Sequence, residues 1–217
     1  MDARAVGWKE TLRDGTRVVV RPISAEDRER ERAFIENMSP VSRRFRFLDT
    51  MMSPSAALLT QLTDIDPATD VAFVALLARS SSATEIGVAR FSARADGSDC
   101  EFAIAVDDAW QKKGLGTLLM HRLIHAAQER GIAAMHAISA SDNEGMRRLA
   151  EPLGLRRMRD LEDGAQVVYR IALPSTLARE AGYEVPSDPR LSNFGVACRA
   201  DPVLGKAHAT RSANFPD

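Results

Sequence analysis

Cysteine is scarce in this sequence, and charge of neither sign is in excess. Only two of the 217 residues are cysteines, Cys100 and Cys198, which is too few for the disulfide framework of a small secreted domain. The 29 lysines and arginines nearly balance the 30 aspartates and glutamates. The chain therefore has no overall positive field to attract nucleic acid or an anionic membrane, and any anion-binding site is expected to be local.

Long apolar segments are absent as well. The longest nearly uncharged apolar stretch covers residues 71–78, far short of the roughly 20 residues that a membrane-spanning helix needs. The first residues, Met1-Asp2-Ala3-Arg4, lack the apolar segment of a secretory signal peptide. These absences predict a soluble cytoplasmic protein with no membrane or nucleic-acid partner.

The sequence does contain alternating strand and helix patterns. β-Branched residues between the turn at Asp14-Gly15 and Pro22 predict a strand over residues 17–23,. The other predicted strands cover residues 71–79, 85–94, 100–106, 133–138 and 166–171, and helices are predicted after Ser24, at 42–48, around 58–62, from the glycine turn at 114–116 to Gly131, and over 143–150,. This order predicts an α/β (α+β) fold, with a mixed sheet covered by helices.

We expect one folded domain over residues 12–173. Beyond it the apolar density falls, while proline, glycine, serine and asparagine recur. Residues 174–217 are therefore predicted to form a C-terminal extension without a core of its own.

Two charged segments could be interpreted as binding sites. The helix after Ser24 is expected to turn its charged residues 26–32 to solvent and four residues to the core: Ala33, Phe34, Ile35 and Met38,. Residues 42–48 mix arginines with phenylalanines, which would suit either a nucleic-acid site or a helix with buried phenylalanines. The balanced overall charge favours the helix.

A glycine-bearing turn joins the strand at 100–106 to the long helix. Gly114 and Gly116 would let a ligand approach the backbone, and the start of a helix presents free N–H groups that favour a phosphate. Neither the GxxxxGK[ST] nor the GxGxxG nucleotide fingerprint fits. As a bare pattern, the turn would also suit a tight connection without any ligand.

Residues 111–116, Gln-Lys-Lys-Gly-Leu-Gly, match the (Gln/Arg)-x-x-Gly-x-(Gly/Ala) acetyl-CoA loop, and with it the chain resembles the GNAT superfamily. Downstream, Asn143 begins a helix that is followed by Gly154-Leu155, which is similar to the second conserved stretch of that superfamily. The resemblance implies a GNAT-like, mostly antiparallel central sheet flanked by helices, and acetyl-CoA as the co-substrate.

The resemblance also implies which residues bind the coenzyme. They are Ile104, Ala105 and Val106 along the pantetheine arm, Gln111, Lys112, Lys113, Gly114, Leu115, Gly116 and Thr117 around the pyrophosphate, and Ser141 and Asn143 beside the pantetheine. Ser141 and Asn143 also fit a pair that caps the following helix, and the two roles are compatible.

A narrower resemblance involves residues 12–17, 21–23, 26–27, 42–47 and the segment Glu101-Phe102-Ala103. These are similar to the acetyltransferase domain of bacterial protein lysine acetyltransferases that act on acyl-CoA synthetases. The likeness implies a protein partner of that kind and makes Glu101 the general base.

Glu101 heads a predicted strand, opposite to Phe102 and Ile104 by strand alternation,. An amine attacks a thioester only when neutral, and a free glutamate is mismatched to lysine by about six pKa units. Burial must raise the glutamate pKa, or a water must relay the proton. A solvated charge beside a turn is the other interpretation of this residue.

Other candidates fit catalysis less well. His121 and His125 are four residues apart, but no glutamate of an HExxH motif lies between them, so a solvated helix face and no metal are predicted. Cys100 is interpreted as a packing residue, since the GNAT superfamily transfers acetyl directly. Many GNAT enzymes have a tyrosine that acts as general acid at the position where this chain has Ala150. Tyr169 is interpreted as an aromatic residue of the last strand, so no general acid is assigned.

The sequence therefore predicts an acetyl-CoA-dependent N-acetyltransferase that acts on a protein lysine with Glu101 as base. Two alternatives stay open because the coenzyme half of the fold does not specify the acceptor. One is acetylation of a small-molecule amine. The other is a catalytically silent regulator that binds acyl-CoA.

Overall fold

A computed structural model of the chain describes residues 7–48, 53–77, 83–94, 96–159 and 164–174. The chain divides into two compact units, Met1–Tyr183 and Glu184–Asp217, and every described residue belongs to the first. Cys198 and, apart from Pro174, the predicted extension lie outside the described residues. The domain boundary at 173 stays a prediction.

The described residues form eight strands and five α-helices. In chain order these are β1 Trp8–Thr11, β2 Arg17–Pro22, α1 Arg28–Asn37, α2 Pro40–Phe47, α3 Ala56–Thr63, β3 Asp70–Leu77, β4 Thr84–Ala93, β5 Cys100–Val106, α4 Leu115–Glu129, β6 Ala134–Ala140, α5 Glu144–Ala150, β7 Arg156–Arg159 and β8 Gln166–Ala172. Among them, no helix is long and apolar enough to cross a membrane.

One mixed sheet contains all eight of these strands, in the order β1-β2-β3-β4-β5-β6-β8-β7. Its neighbours pair antiparallel except β5 and β6, which run parallel and are connected through α4. The predicted fold class, a mixed and mostly antiparallel sheet flanked by helices, is confirmed. So is the predicted hairpin of β3 and β4.

The two outermost strands, β1 and β7, were not predicted. β1 has only four residues, with charges at two of them, and β7 reads Arg-Arg-Met-Arg with all four residues exposed. Neither shows the apolar alternation that marks a half-buried strand. Both are held by pairing with a neighbour, β2 or β8, which is information that a local pattern does not contain.

Two hydrophobic cores lie on opposite faces of the sheet. One contains α4 residues such as Leu115, Leu119 and Leu123. The other contains α1 and α3 residues such as Phe34 and Leu59. Helices α1, α3 and α4 therefore each bury an apolar stripe against the sheet, as layered α/β packing requires.

The prediction that residues 26–32 form a solvated surface is wrong for two of them. Asp27 is 0% and Glu31 1% exposed. The reason is spacing: residues 27, 31 and 35 are four apart and therefore share one helical face with buried Ile35,. Ala33, predicted to face inward, is exposed because it lies on the other side of the helix.

The buried carboxylates are compensated by arginines. Asp27 accepts 2.6 Å hydrogen bonds from Arg21 and Arg30 and a 3.0 Å bond from the Ser24 N–H. Burial opposes the charge, but hydrogen bonds from Arg21 and Ser24 lower the pKa of Asp27 to about 2. Glu31 lies 3.5 Å from the Arg90 guanidinium. Buried charges persist only with such partners.

Glu85 differs from these two carboxylates. It is 5% exposed, and neither of its oxygens has a hydrogen-bond partner among the described residues. Burial, followed by the nearby charge of Glu31, raises the pKa of Glu85 well above its ordinary value. Two close carboxyl groups cannot both ionise easily, which favours the protonated form of Glu85.

A Glu85→Gln substitution should therefore change how stability depends on pH. Above the ordinary pKa of a glutamate, Glu85 ionises in the unfolded wild-type chain but not in the folded protein. The free energy of unfolding therefore falls by up to about 1.4 kcal/mol per pH unit until the pH reaches the pKa of Glu85 in the folded protein. Glutamine has no such loss. The stability of Glu85→Gln relative to wild type should rise from pH 5 to pH 8, measured by urea unfolding.

The matched control is Glu29→Gln, because the Glu29 side chain is 78% exposed on the same α1 helix. Its stability relative to wild type should be nearly independent of pH over this range. An equally flat result for Glu85→Gln would mean that Glu85 is ionised in the folded protein.

Candidate active site

An opening between β5 and β6 is the central feature of the site. The two strands are in register only at Cys100 with Met135 and Glu101 with His136. Beyond these pairs, β5 remains paired with β4 as far as Val106, but its other edge faces no described strand. On this edge, the backbone groups of residues 102–106 have no strand partner among the described residues and can accept an extended ligand as an added strand; the Val106 carbonyl oxygen accepts a 3.3 Å hydrogen bond from the Gln111 amide. Ile104, Ala105 and Val106, predicted to contact the coenzyme arm, lie here and are half-buried.

The glycine loop follows directly at the end of β5. After a helical turn at Asp108–Trp110, Gly114 adopts φ 90° and occupies the N-cap position of α4. This left-handed backbone is costly for a side chain with a Cβ. The first N–H groups of α4 have no partners within the helix, and the helix dipole favours an anion there. The predicted strand-loop-helix context of residues 111–117 is confirmed.

The turn between β1 and β2 supports this loop, which the sequence did not indicate. The Arg13 N–H donates to the Lys113 carbonyl oxygen at 3.1 Å, and a Cβ on Gly114 would lie 3.3 Å from the Arg13 side chain. No local pattern connects a hairpin turn with a loop about a hundred residues later.

The two loop lysines differ in their surroundings. Lys113 Nζ lies 3.0 Å from Asp14 and 4.5 Å from the centre of the Trp110 ring. The hydrogen bond from Lys113 lowers the pKa of Asp14 to about 2. Lys112 is exposed and has a positive φ of 61°. Lys112 is therefore the lysine with more freedom to reach a bound phosphate.

Helix α2 lies across the ends of the two diverging strands. Asp108, just after β5, accepts hydrogen bonds from the Ser39 N–H at 2.9 Å and the Ser42 hydroxyl at 2.6 Å. Asp142, just after β6, lies 2.7 Å from Arg44. The Gln111 amide also donates to Asp108 at 3.3 Å, so one carboxylate links α2 with the glycine loop.

The predicted helix at residues 42–48 is therefore confirmed, but its phenylalanines are half-buried rather than buried. The helix lies over the rim of the opening, where only one side of it contacts protein. Arginine guanidinium groups cover the ring faces instead, with Arg44 4.6 Å from the centre of Phe45 and Arg46 4.9 Å from that of Phe47,.

Glu101 lies where β5 and β6 begin to separate. It is exposed, in register with Ser92 on β4 and His136 on β6, and opposite to Phe102, which is 2% exposed. Burial and the charge of Arg90 lower the pKa of the neighbouring Arg46 to about 10, and Glu31 and Glu101 oppose that shift. The predicted side-chain direction of Glu101 is confirmed.

Asn143 has the helix-capping role that the sequence allowed. Its Oδ1 accepts from the Met146 N–H at 2.9 Å, and its Nδ2 donates to the Ser139 hydroxyl at 3.1 Å. Ser141 lies two residues before this N-cap, and its N–H donates to the Ala165 carbonyl oxygen in the adjoining turn. The predicted coenzyme contacts of both residues stay predictions.

The remaining candidates have structural surroundings. Cys100 is fully buried, and burial raises the pKa of its thiol to about 12, so its interpretation as a packing residue is confirmed. Tyr169 lies on β8 in the α4 core and is 2% exposed. His125 is exposed, with Nδ1 3.5 Å from Glu129. The described residues contain no cluster of three or more potential metal ligands.

Comparison with known proteins agrees with this geometry. The acetyltransferase (GNAT) domain family matches residues 17–156. The chain belongs to the GNAT acetyltransferase family. It is 42% identical over 166 residues to an acetyltransferase of Pseudomonas aeruginosa, covering 76% of this chain and 89% of that protein. GNAT domains use acetyl-CoA.

Two further relatives are similar in sequence or structure. Acetyltransferase Pat of Mycolicibacterium smegmatis is 30% identical over 131 residues, which are 60% of this chain and only 38% of that protein. The crystal structure of the GNAT domain of S. lividans PAT has a TM-score of 0.70 and 28% identity, covering 77% of this chain and 97% of that one.

A Gly114→Val substitution should abolish acetyl-CoA binding. The side chain would force a strained φ and press against Arg13 at the coenzyme loop. Wild-type protein should gain several degrees in Tm with excess acetyl-CoA, since a ligand that binds only the folded state stabilises it. The variant should show no gain in the same thermal-shift measurement.

Gly131→Val is the control, because Gly131 also has a positive φ, at the other end of α4, with no atom near its added Cβ. This variant pays a similar backbone penalty away from the loop and should keep the full acetyl-CoA shift. A full shift in folded Gly114→Val would place the coenzyme elsewhere.

Proposed function

We propose that the chain transfers an acetyl group from acetyl-CoA directly to a protein lysine, with Glu101 as the proton acceptor. The observation that carries the proposal is the position of Glu101 at the point where β5 and β6 separate. A thioester lying along the free edge of β5 would reach this point, and the exposed carboxylate faces an incoming amine.

The proposed coenzyme contacts follow the opening. The free edge of Ile104, Ala105 and Val106 pairs with the pantetheine arm, and the N–H groups at the start of α4 hold the pyrophosphate. Lys112 adds positive charge. Ser141 and Asn143 lie at the end of β6, on the other side of the opening.

The proposed transfer needs no covalent enzyme intermediate. The neutral lysine nitrogen attacks the thioester carbonyl carbon, the carbon–sulfur bond breaks, and the electron pair leaves on sulfur. Glu101 takes the proton that the amine loses. Because Glu101 is exposed, we favour relay of this proton through a water molecule.

A protein acceptor is favoured by the surroundings of Glu101. The carboxylate lies on an exposed part of the sheet rather than at the bottom of an enclosed pocket, and small-molecule sites are usually concave and enclosing. The resemblance of residues 12–17 and 101–103 to protein lysine acetyltransferases supports an acyl-CoA synthetase as the acceptor.

Incubation with acetyl-CoA and a purified acyl-CoA synthetase, followed by mass spectrometry, tests the acceptor. An acetylated lysine on the synthetase is the expected result. CoA release only with small amines would instead support a small-molecule acetyltransferase. Coenzyme binding without CoA release from any acceptor would support a silent regulator.

Glu101→Gln should lower kcat by roughly 10²–10⁴-fold, because the amide cannot accept the proton. The acetyl-CoA thermal shift should stay unchanged, since the substitution leaves the loop and the β5 backbone intact. Steady-state CoA release at pH 7 provides the measurement. Turnover at the wild-type rate would mean that another group, or bulk water, receives the proton.

Tyr169→Phe should keep kcat within about tenfold of the wild type, since we assign the tyrosine hydroxyl no catalytic role. A thiol with a pKa near 8.5 leaves unprotonated at a cost of about 2 kcal/mol at pH 7, so a general acid is dispensable. The pH profile should rise with pH and lack a descending limb. A hundredfold loss in folded Tyr169→Phe would make it the missing acid.

A further inference from the structure

The end of the sheet formed by β6, β8 and β7 has an exposed face. Ile138, Val168 and Met158 lie side by side in register across these strands. They point away from the α4 core, which takes the alternate residues of β6 and β8,. Ile138 is 39% and Met158 46% exposed. These three residues form a short apolar row open to solvent.

A polar row runs beside the apolar one and begins at Glu101. His136 is in register with Glu101, Arg170 with His136, and Arg156 with Arg170. Asp99 lies 3.1 Å from His136 Nδ1 and accepts a 2.8 Å hydrogen bond from Arg170. Arg156 is exposed at the outer end of the row. The polar row therefore starts with a carboxylate and ends with arginines.

The two rows lie within reach of an acceptor bound at Glu101. Strands are about 4.8 Å apart, and two residues along a strand span about 6.7 Å. Because β5 and β6 separate after His136, the Ile138 Cα lies at least about 8 Å from that of Glu101. Met158 and Arg156 lie on the third strand beyond β5, roughly 14 Å away across the sheet. A small amine at Glu101 cannot touch them, but a polypeptide can.

We propose that these two rows, here called the acceptor face, dock the protein segments around the acetylated lysine and select apolar and acidic flanking residues. This inference rests on the proposed protein-lysine acetyltransferase function and specifies its acceptor. The face consists of Ile138, Val168 and Met158 together with His136, Arg170 and Arg156.

The chemistry of the face determines the partner. Exposed apolar side chains grouped within a polar rim are typical of protein contact sites. Arginine forms paired hydrogen bonds with carboxylates and is enriched at protein interfaces. Asp99 already engages Arg170, whereas Arg156 is exposed, so Arg156 is the strongest determinant of an acidic neighbour.

Two lysine peptides of equal length test the acceptor face. In one the lysine is flanked by leucine and aspartate, and in the other by serine and asparagine. The wild-type kcat/KM, measured by CoA release, should be about tenfold higher for the leucine–aspartate peptide. Arg156→Glu should lower kcat/KM for that peptide about fivefold through KM, since it replaces a surface attraction by a repulsion. Its kcat/KM for the serine–asparagine peptide should not change.

Arg159→Glu is the matched control. Arg159 lies on the same four-residue strand and is also exposed, but its register with Val167 places it on the opposite face. This variant should keep the wild-type preference. Equal turnover of the two peptides by wild type, or equal losses in Arg156→Glu and Arg159→Glu, would overturn the acceptor face while leaving lysine acetylation intact. If neither peptide is acetylated although acetyl-CoA still raises Tm, the proposed function fails together with the face.

A photo-cross-link identifies what occupies the face. With Met158 replaced by p-benzoylphenylalanine, illumination in the presence of the leucine–aspartate peptide should attach that peptide, as detected by mass spectrometry. Attachment to a second copy of the chain, or to residues 175–217 of the same chain, would overturn the proposal. The same replacement at Arg159 should attach no peptide.

Discussion

The parallel pairing of β5 and β6 ends after two residues, and the candidate site depends on this. Had the two strands continued side by side, the backbone groups on this edge of residues 102–106 would be used within the sheet. Because the strands separate, that edge has no described strand partner, and the glycine loop, α2 and Glu101 all surround the same gap. Backbone hydrogen bonds that a sheet leaves unmade are the means by which this fold can bind an extended ligand.

The second core shows a different constraint, because ionisable side chains lie beside its apolar residues. Asp27, Glu31 and Glu85 are buried there, and Arg46 lies near enough to Arg90, Glu31 and Glu101 for their charges to affect its pKa. Breaking one member of such a group leaves an uncompensated charge, which is strongly destabilising. The position of α2 over the opening therefore depends on charged groups near Arg46 as well as on apolar contacts.

Local sequence patterns predicted the inner elements of the sheet and the glycine loop, because β-branched alternation and helical periodicity reflect burial. They failed for β1 and β7, whose residues are exposed and whose positions depend on partner strands. They also failed for Glu31, whose arginine partner Arg90 is distant in sequence, and for Asp27, although its partners Arg21 and Arg30 are near in sequence. Arg13 beside the loop and Asp108 beneath α2 also contact residues that are distant in sequence, so only the folded chain brings them to the site.

The tethers of α2 also bear on the order in which this chain folds. Ser42 and Arg44 contact residues 66 and 98 positions later in the chain. Closing loops of this length costs entropy before any contact is gained, so such contacts form late. A nascent or partly unfolded chain can contain α4 and its glycine turn while the rim above the opening is still missing. The chain then becomes active only when these last long-range contacts form. Local unfolding of α2 would abolish activity while the sheet is still folded.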